Sequence, residues 1–108
     1  MLIEEFNLLF EDYCQCEFPL DTGTASSYAK AIKYFFEFME YSEITSDLIS
    51  EIKKLEPEIR NTNSNLYRQL DLFYTSTRRR SYFKKGFLQA ALPVLFKFSR
   101  TSKFKEVN

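Results

Sequence analysis

Residues 24–40 read TASSYAKAIKYFFEFME, and this stretch sets the fold class. Its apolar side chains recur at helical spacing and cover a face too broad for a helix that only lies on a surface. These side chains are Ala25, Tyr28, Ile32, Phe35, Phe36 and Met39. Thr22 or Thr24 can cap its start by accepting a backbone N–H. The pattern therefore predicts a central helix that ends near Glu40.

Helical spacing continues outward from this stretch over nearly the whole chain. Only two glycines and three prolines occur, and no alternating apolar run is bounded by turn residues. The predicted helices are a first that ends near residues 13–15, the central one, a third capped within 45–47, a short fourth over 66–73 and a fifth from about 81. The expected fold is all-α, a single compact domain of about five helices.

Two prolines lie inside predicted helices, and each removes one backbone hydrogen bond and clashes with the preceding turn. Pro57 is placed to stop or bend the third helix. Pro93 is expected to kink the fifth near Ala90 or to break it in two. Beyond Arg100 the basic tail has little to bury and is expected to fray. The predicted domain is thus residues 1–100, followed by a frayed tail at 101–108.

Size and composition favour a folded domain. The chain has 108 residues, close to the commonest domain size, and its twelve Phe and seven Tyr supply large apolar area for a core. No stretch approaches the roughly 18 apolar residues of a membrane span, and the N-terminus is acidic where a secretory signal would be basic. We expect a cytoplasmic protein without a membrane partner. Because the chain starts at Met, we expect it to be a complete small protein.

The residue types that usually carry catalysis are scarce. The chain has no His, and Cys14 and Cys16 lack the further ligands of a zinc site, so both are expected to be free thiols. Asp71 and Glu106 are the only acidic residues after position 60, and no metal-nuclease pattern joins them. We therefore expect a protein that is not an enzyme and has no cofactor and no metal.

Charge is segregated along the chain. Residues 1–60 carry 13 acidic and 5 basic side chains, whereas residues 61–108 carry 2 acidic and 10 basic. Five of the cations fall within residues 78–85, here called the basic turn, where a loop meets a helix start. Such clusters can neutralise phosphates while helix N–H groups bond to them. The predicted nucleic-acid contacts are Arg78, Arg79, Arg80, Tyr82, Lys84, Lys85, Lys97 and Arg100.

Other interpretations of these residues stay open. The cations can pair with the acidic half within the fold or across a dimer, or they can be a plain solvated face. Tyr82 can stack on bases, although aromatic residues at helical spacing usually belong to a core.

Two stretches carry a resemblance to known families. Residues 24–32 (TASSYAKAI) and 81–92 (SYFKKGFLQAAL) together resemble a small helical domain at the N-terminus of HNH-type restriction endonucleases. More distantly, the pattern T-x-x-S-Y-x-x-A-I in residues 24–32 is similar to the SAM-like core-binding domain of tyrosine recombinases. The resemblance spans residues 20–100. It implies a four- or five-helix module that holds DNA while a separate domain, absent here, performs the chemistry.

These observations together predict a non-catalytic module that binds nucleic acid, with duplex DNA as the expected ligand and an accessory part in restriction or recombination. The alternative is a protein-interaction module, such as a small phage- or plasmid-encoded inhibitor or adaptor that acts on a nucleic-acid enzyme or pairs with its own copy. Steep salt dependence of DNA affinity would separate the two.

Overall fold

The computed structural model describes residues 1–107, and these form an all-helical domain. Its helices are α1 (Ile3–Glu17), α2 (Thr22–Met39), α3 (Ser46–Arg60), α4 (Asn65–Ser76), α5 (Ser81–Lys84), α6 (Phe87–Ser99) and α7 (Ser102–Val107). Within these residues the one extended pairing is an isolated bridge between Leu2 and Glu43. The all-α prediction is confirmed, but the count of about five is wrong. The predicted fifth helix is divided at Lys85 and Gly86, and a further helix follows it.

Side-chain caps fix where three of the helices begin. The Asp21 carboxylate accepts a hydrogen bond from the Thr24 amide at 3.0 Å, so Asp21, and not a threonine, caps α2. Thr45 caps α3 through the amide of Leu48 at 3.1 Å. Ser64 caps α4 through the amide of Tyr67 at 3.0 Å.

The core surrounds α2, as its sequence predicts. Six of its side chains are buried, namely Ala25, Ala29, Ala31, Ile32, Phe35 and Phe36. Phe6 of α1 joins the other layers, because its ring centroid lies 5.4 Å from Phe36 of α2, 5.5 Å from Phe98 of α6 and 6.0 Å from Phe104 of α7. Aromatic pairs at these spacings add about 0.5–1.5 kcal/mol each beyond their buried area.

A buried hydrogen bond joins α4 to α2. The Tyr74 hydroxyl donates to the Ala31 carbonyl oxygen at 2.7 Å, and the Tyr74 side chain is fully buried. Burial raises the pKa of this hydroxyl far above its usual range, which keeps it protonated and able to donate. The Tyr74 ring also stacks on Phe83 of α5 at 5.4 Å. Phe83, the buried side chain of α5, therefore fixes this short helix to the core.

Pro93 does not interrupt α6, which is continuous from Phe87 to Ser99, so the predicted kink or break is wrong. The carbonyl that Pro93 leaves without its helical donor belongs to Gln89, four residues earlier. Nη2 of Arg60 donates to that Gln89 oxygen at 2.8 Å. The guanidinium of α3 thus replaces the missing backbone amide. Pro57 likewise does not stop α3, which continues to Arg60.

The break falls instead at Gly86. This residue caps α6 with φ +79°, a left-handed backbone that glycine adopts without steric cost. Beyond α6, where the sequence predicts a frayed tail, residues 102–107 form α7 and Phe104 is fully buried. Its ring contacts Phe98 at 5.8 Å. One aromatic side chain therefore gives the tail something to bury, while Asn108 lies outside the described residues.

None of the described helices combines the length and the apolar character that crossing a bilayer requires. The longest of them is α2 with 18 residues, and it carries charged residues on its exposed side, including Lys30 and Lys33.

We expect Arg60 and Pro93 to be energetically coupled. Arg60→Met should lower the free energy of unfolding by about 1 kcal/mol, because the Gln89 carbonyl loses a charged donor. In a Pro93→Ala background the cost should shrink, since the backbone amide restored at position 93 then donates to that carbonyl. Urea denaturation of the four proteins of this double-mutant cycle measures the difference.

Glu56→Gln is the matched control for this cycle. It removes the ion pair between Glu56 and Arg60, whose oxygen and nitrogen lie 2.9 Å apart, but leaves the bond to Gln89. Its effect should be small and equal in both backgrounds. An equal cost of Arg60→Met in the wild-type and the Pro93→Ala backgrounds would contradict the bridging role.

Cys14 should make the domain less stable at alkaline pH. Both cysteines are free thiols, and Cys14 is buried. Burial and, secondarily, Glu11 and Glu17 raise its pKa from 9.0 to about 12. The folded protein therefore keeps a proton that the unfolded chain loses above about pH 9, so the free energy of unfolding should fall as pH rises from 9 toward 12.

Urea denaturation at about pH 8 and about pH 10 measures this loss. The loss should be smaller in Cys14→Ala than in the wild type. Cys16 is exposed, so Cys16→Ala should retain the full wild-type loss. Identical pH profiles for all three proteins would contradict the assignment to Cys14.

Candidate nucleic-acid interface

The basic turn has a fixed backbone. Arg78 adopts a left-handed conformation with φ +63°, its amide donates to the Thr75 carbonyl at 3.2 Å, and the Arg79 amide donates to the Tyr74 carbonyl at 2.7 Å. These two bonds form a Schellman motif at the end of α4, with Arg78 where glycine is usual. The left-handed conformation costs an L-residue about 1–2 kcal/mol. The turn therefore holds its arginines in a defined but strained arrangement.

Arg79 faces the protein, not the solvent. Its Nη1 donates to Oε2 of Glu37 at 2.6 Å, and its guanidinium carbon lies 3.8 Å from the centroid of the Tyr34 ring. Both partners belong to α2, three residues apart and hence on one side of that helix. Its side chain is only 30% exposed. Arg79 anchors the turn to the central helix and is removed from the set of free cations.

Two other predicted contacts are also paired. Nζ of Lys84 lies 3.0 Å from Oδ2 of Asp71 on α4, and Nζ of Lys97 lies 2.9 Å from Oε1 of Glu17 on α1. The bond from Lys97 holds the pKa of Glu17 below its usual range. Three of the seven predicted cations are thus engaged with carboxylates, which is the intramolecular pairing that the sequence left open.

The remaining four cations are Arg78, Arg80, Lys85 and Arg100, all of them exposed. None of these has an ion pair within residues 1–107. The first three lie together in the basic turn. Arg100 follows the far end of α6, about 18 Å away along a helix that rises about 1.5 Å per residue. The structure therefore brings together three of the predicted contacts and places Lys97 and Arg100 elsewhere.

The aromatic residues of the basic turn pack against the domain, and four amides of its short helix are already engaged. Tyr82 is half-buried, with its ring 5.3 Å from Tyr34 and 6.3 Å from Phe87, and Phe83 is buried. The amides from Tyr82 to Lys85 already donate to backbone carbonyls at 2.8–3.2 Å. The amides of Tyr82 to Lys85 therefore do not offer the expected phosphate contact. The exposed side-chain cations of the turn are the groups available to a phosphate.

Two grooves contain residues that the sequence did not single out. The first, the α1–α2 groove, has a volume of about 370 Å³ and is lined by Glu4, Asn7, Leu8, Glu11, Ala29, Lys30 and Lys33. The second, the α3–α6 groove, has a volume of about 270 Å³ and is lined by Ser46, Ile49, Ser50, Lys53, Phe96, Ser99, Arg100 and Lys105. Sequence reasoning missed three residues of these surfaces, namely Lys53, Tyr34 and Glu37. No sequence pattern marks them, because their partners Phe96 and Arg79 are distant in the chain. Among residues 1–107 no three His, Cys, Asp or Glu side chains cluster as a metal site would require.

Arg79→Gln should lower the free energy of unfolding by about 1 kcal/mol. It removes a half-exposed ion pair and a cation–π contact, each worth up to about 1 kcal/mol. Arg80→Gln, the same change one residue later, should stay within about 0.5 kcal/mol of the wild type because Arg80 is exposed and unpaired among the described residues. Urea denaturation compares the two, and equal effects would refute the anchoring role of Arg79.

No family model, no curated protein and no solved structure matches this chain. The resemblance of residues 24–32 and 81–92 to the helical domains of HNH-type restriction endonucleases and tyrosine recombinases therefore stays a prediction.

Proposed function

We propose that this domain binds nucleic acid without catalysis, through the phosphates of duplex DNA, and that Arg78, Arg80 and Lys85 make the contacts. One observation carries the proposal. Three exposed cations lie in the eight residues of the basic turn, whose backbone is fixed. None of the three has a carboxylate partner within residues 1–107.

The ion-paired cations of the basic turn, Arg79 and Lys84, hold the turn in place. Arg79 and Lys84 alternate with the free ones along the chain, and their bonds to Glu37 and Asp71 fasten the turn to α2 and α4. A turn held in place loses less conformational entropy when it binds, so each of its contacts contributes more to affinity. The two groups of cations thus have separate tasks, one in binding and one in positioning.

Phosphate contacts of this kind carry no base information. We therefore propose binding that is insensitive to sequence and steeply dependent on salt, as expected when cations displace condensed counterions. The resemblance noted in the sequence favours an accessory part in restriction or recombination. We place that activity in the cytoplasm.

A second candidate function is a protein-interaction module, favoured by the α1–α2 groove. Leu8 is 68% exposed there, between carboxylates of α1 and lysines of α2. An inhibitor or adaptor of a nucleic-acid enzyme, or a second copy of this chain, would use such a mixed surface. In that case the charges of the basic turn would belong to a protein contact.

Fluorescence anisotropy with a labelled duplex of random sequence tests the first candidate. Each phosphate contact should contribute about 0.9 to the slope of log affinity against log salt, so the triple variant Arg78→Gln, Arg80→Gln, Lys85→Gln should lose a slope of about 2.7. The slope is measured between about 50 and 200 mM salt. At about 50 mM salt the affinity of the triple variant for DNA should be at least tenfold below that of the wild type.

The matched control replaces Lys30, Lys33 and Lys54 with Gln. It removes the same net charge from exposed positions on α2 and α3. Its affinity and slope should stay close to those of the wild type. Equal losses in both triple variants would show that only net charge matters, and no binding by the wild type at low salt would leave the interaction module as the function.

A further inference from the structure

We propose that the α3–α6 groove binds a small phosphorylated molecule, with Lys53, Arg100 and Lys105 holding the phosphate. The proposal is independent of the basic turn, because the groove lies at the opposite end of α6 and shares no residue with it. No motif in the sequence marks this site. It exists only where three helices meet.

The cations reach the groove from three separate elements. Lys53 belongs to α3, Arg100 directly follows α6, and Lys105 belongs to α7. Arg100 and Lys105 are five residues apart, whereas Lys53 lies 47 residues before Arg100, so the tertiary fold brings Lys53 to the other two. Nζ of Lys53 lies 5.9 Å from the centroid of the Phe96 ring, which places its ammonium at the wall of the groove.

Among residues 1–107 no carboxylate lines the groove, and none of its three cations is ion-paired with another of these residues. This differs from the other cations that face the protein, since Arg79, Lys84 and Lys97 each have an acidic partner. Three like charges around one concave surface repel each other, and a bound dianion would remove that repulsion. The three positive charges of the groove are not neutralised by the described residues, and this points to an anion as the ligand.

The floor of the groove is apolar and the rim carries hydroxyls. Ile49 and Phe96 are 5% and 7% exposed, so a small apolar part of a ligand can rest on them. The Ser50 and Ser99 hydroxyls donate to the carbonyls of Ser46 and Phe96 at 3.2 and 2.6 Å. They would have to rotate before donating to an anion. The three cations, and not the hydroxyls, therefore supply the main attraction.

Volume limits the ligand to a small molecule. The groove holds about 270 Å³, roughly nine water molecules at about 30 Å³ each. That is slightly below the range of about 300–1,000 Å³ for drug-sized ligands. Inorganic phosphate fits with room to spare, and the apolar floor favours a phosphate monoester with a compact organic part. A duplex would meet only the rim.

Isothermal titration calorimetry with inorganic phosphate and with a nucleoside monophosphate, at matched ionic strength, tests the proposal. The wild type should bind at least one of the two. Binding of both at similar affinity would identify a site for phosphate alone, whereas preference for the nucleotide would show that the apolar floor takes part. The double variant Arg100→Gln, Lys105→Gln should weaken binding at least tenfold.

Control variants separate this site from general charge effects. Lys54 and Lys103 are exposed and neighbour the groove residues in sequence without lining it, so Lys54→Gln, Lys103→Gln should keep wild-type affinity. The triple variant Arg78→Gln, Arg80→Gln, Lys85→Gln should also keep wild-type affinity for the phosphate ligand, whatever becomes of its DNA binding. Circular dichroism verifies that each variant is folded. Absence of binding by the wild type, or equal weakening in the control variants, would overturn the proposal.

Amide shifts in a two-dimensional NMR titration locate the ligand. Shifts centred on Ser50, Ser99 and Arg100 are expected from a ligand in the α3–α6 groove. Shifts centred on residues 78–85 would place phosphate at the basic turn and refute the groove as its site.

Discussion

The packing of aromatic rings around α2 is the constraint on which the rest of the structure depends. Phe6 contacts rings from α2, α6 and α7, and Tyr74 fixes α4 to α2 by a buried hydrogen bond to the Ala31 carbonyl. Helices α1, α4, α5 and α6 therefore pack against one central element, and α3 in turn packs against α4 and α6. The short helices α5 and α7 each bury a phenylalanine in this aromatic packing, Phe83 and Phe104. The aromatic core thus places both candidate sites.

The fold undoes part of the charge segregation seen along the chain. Arg79 and Lys97, from the basic half, pair with Glu37 and Glu17 of the acidic half. These pairs are partly exposed and each adds little stability. Their larger effect is on the surface charge, because they neutralise some cations and leave neighbouring cations available to bind a ligand. A run of like charge in the sequence becomes a surface with two groups of cations, one paired with carboxylates and one unpaired within residues 1–107.

The sequence predicted the local features of the fold well, namely helices and their caps. It predicted contacts between residues distant in the chain poorly. Helical spacing in residues 24–40 correctly predicted α2 as the centre, and capping residues predicted where α3 begins. The Pro93 break was wrong because the compensating donor, Arg60, lies 33 residues earlier on another helix. For the same reason, no pattern revealed that Glu37 removes Arg79 from the basic turn or that Lys53 joins Arg100 and Lys105. Pairing depends on side chains that only the tertiary fold brings together.

The two ends of α5 share an unusual backbone. Arg78 precedes this four-residue helix with φ +63°, and Gly86 follows it with φ +79°. Two left-handed residues therefore flank the segment that carries most of the basic turn, and the amide of each donates a backbone hydrogen bond. The local stability of this segment depends on the buried ring of Phe83, the contact of Tyr82 with Tyr34 and two ion pairs. A ligand that binds the turn would add contacts to this one segment, so amide hydrogens there would exchange more slowly than those of the rest of the domain.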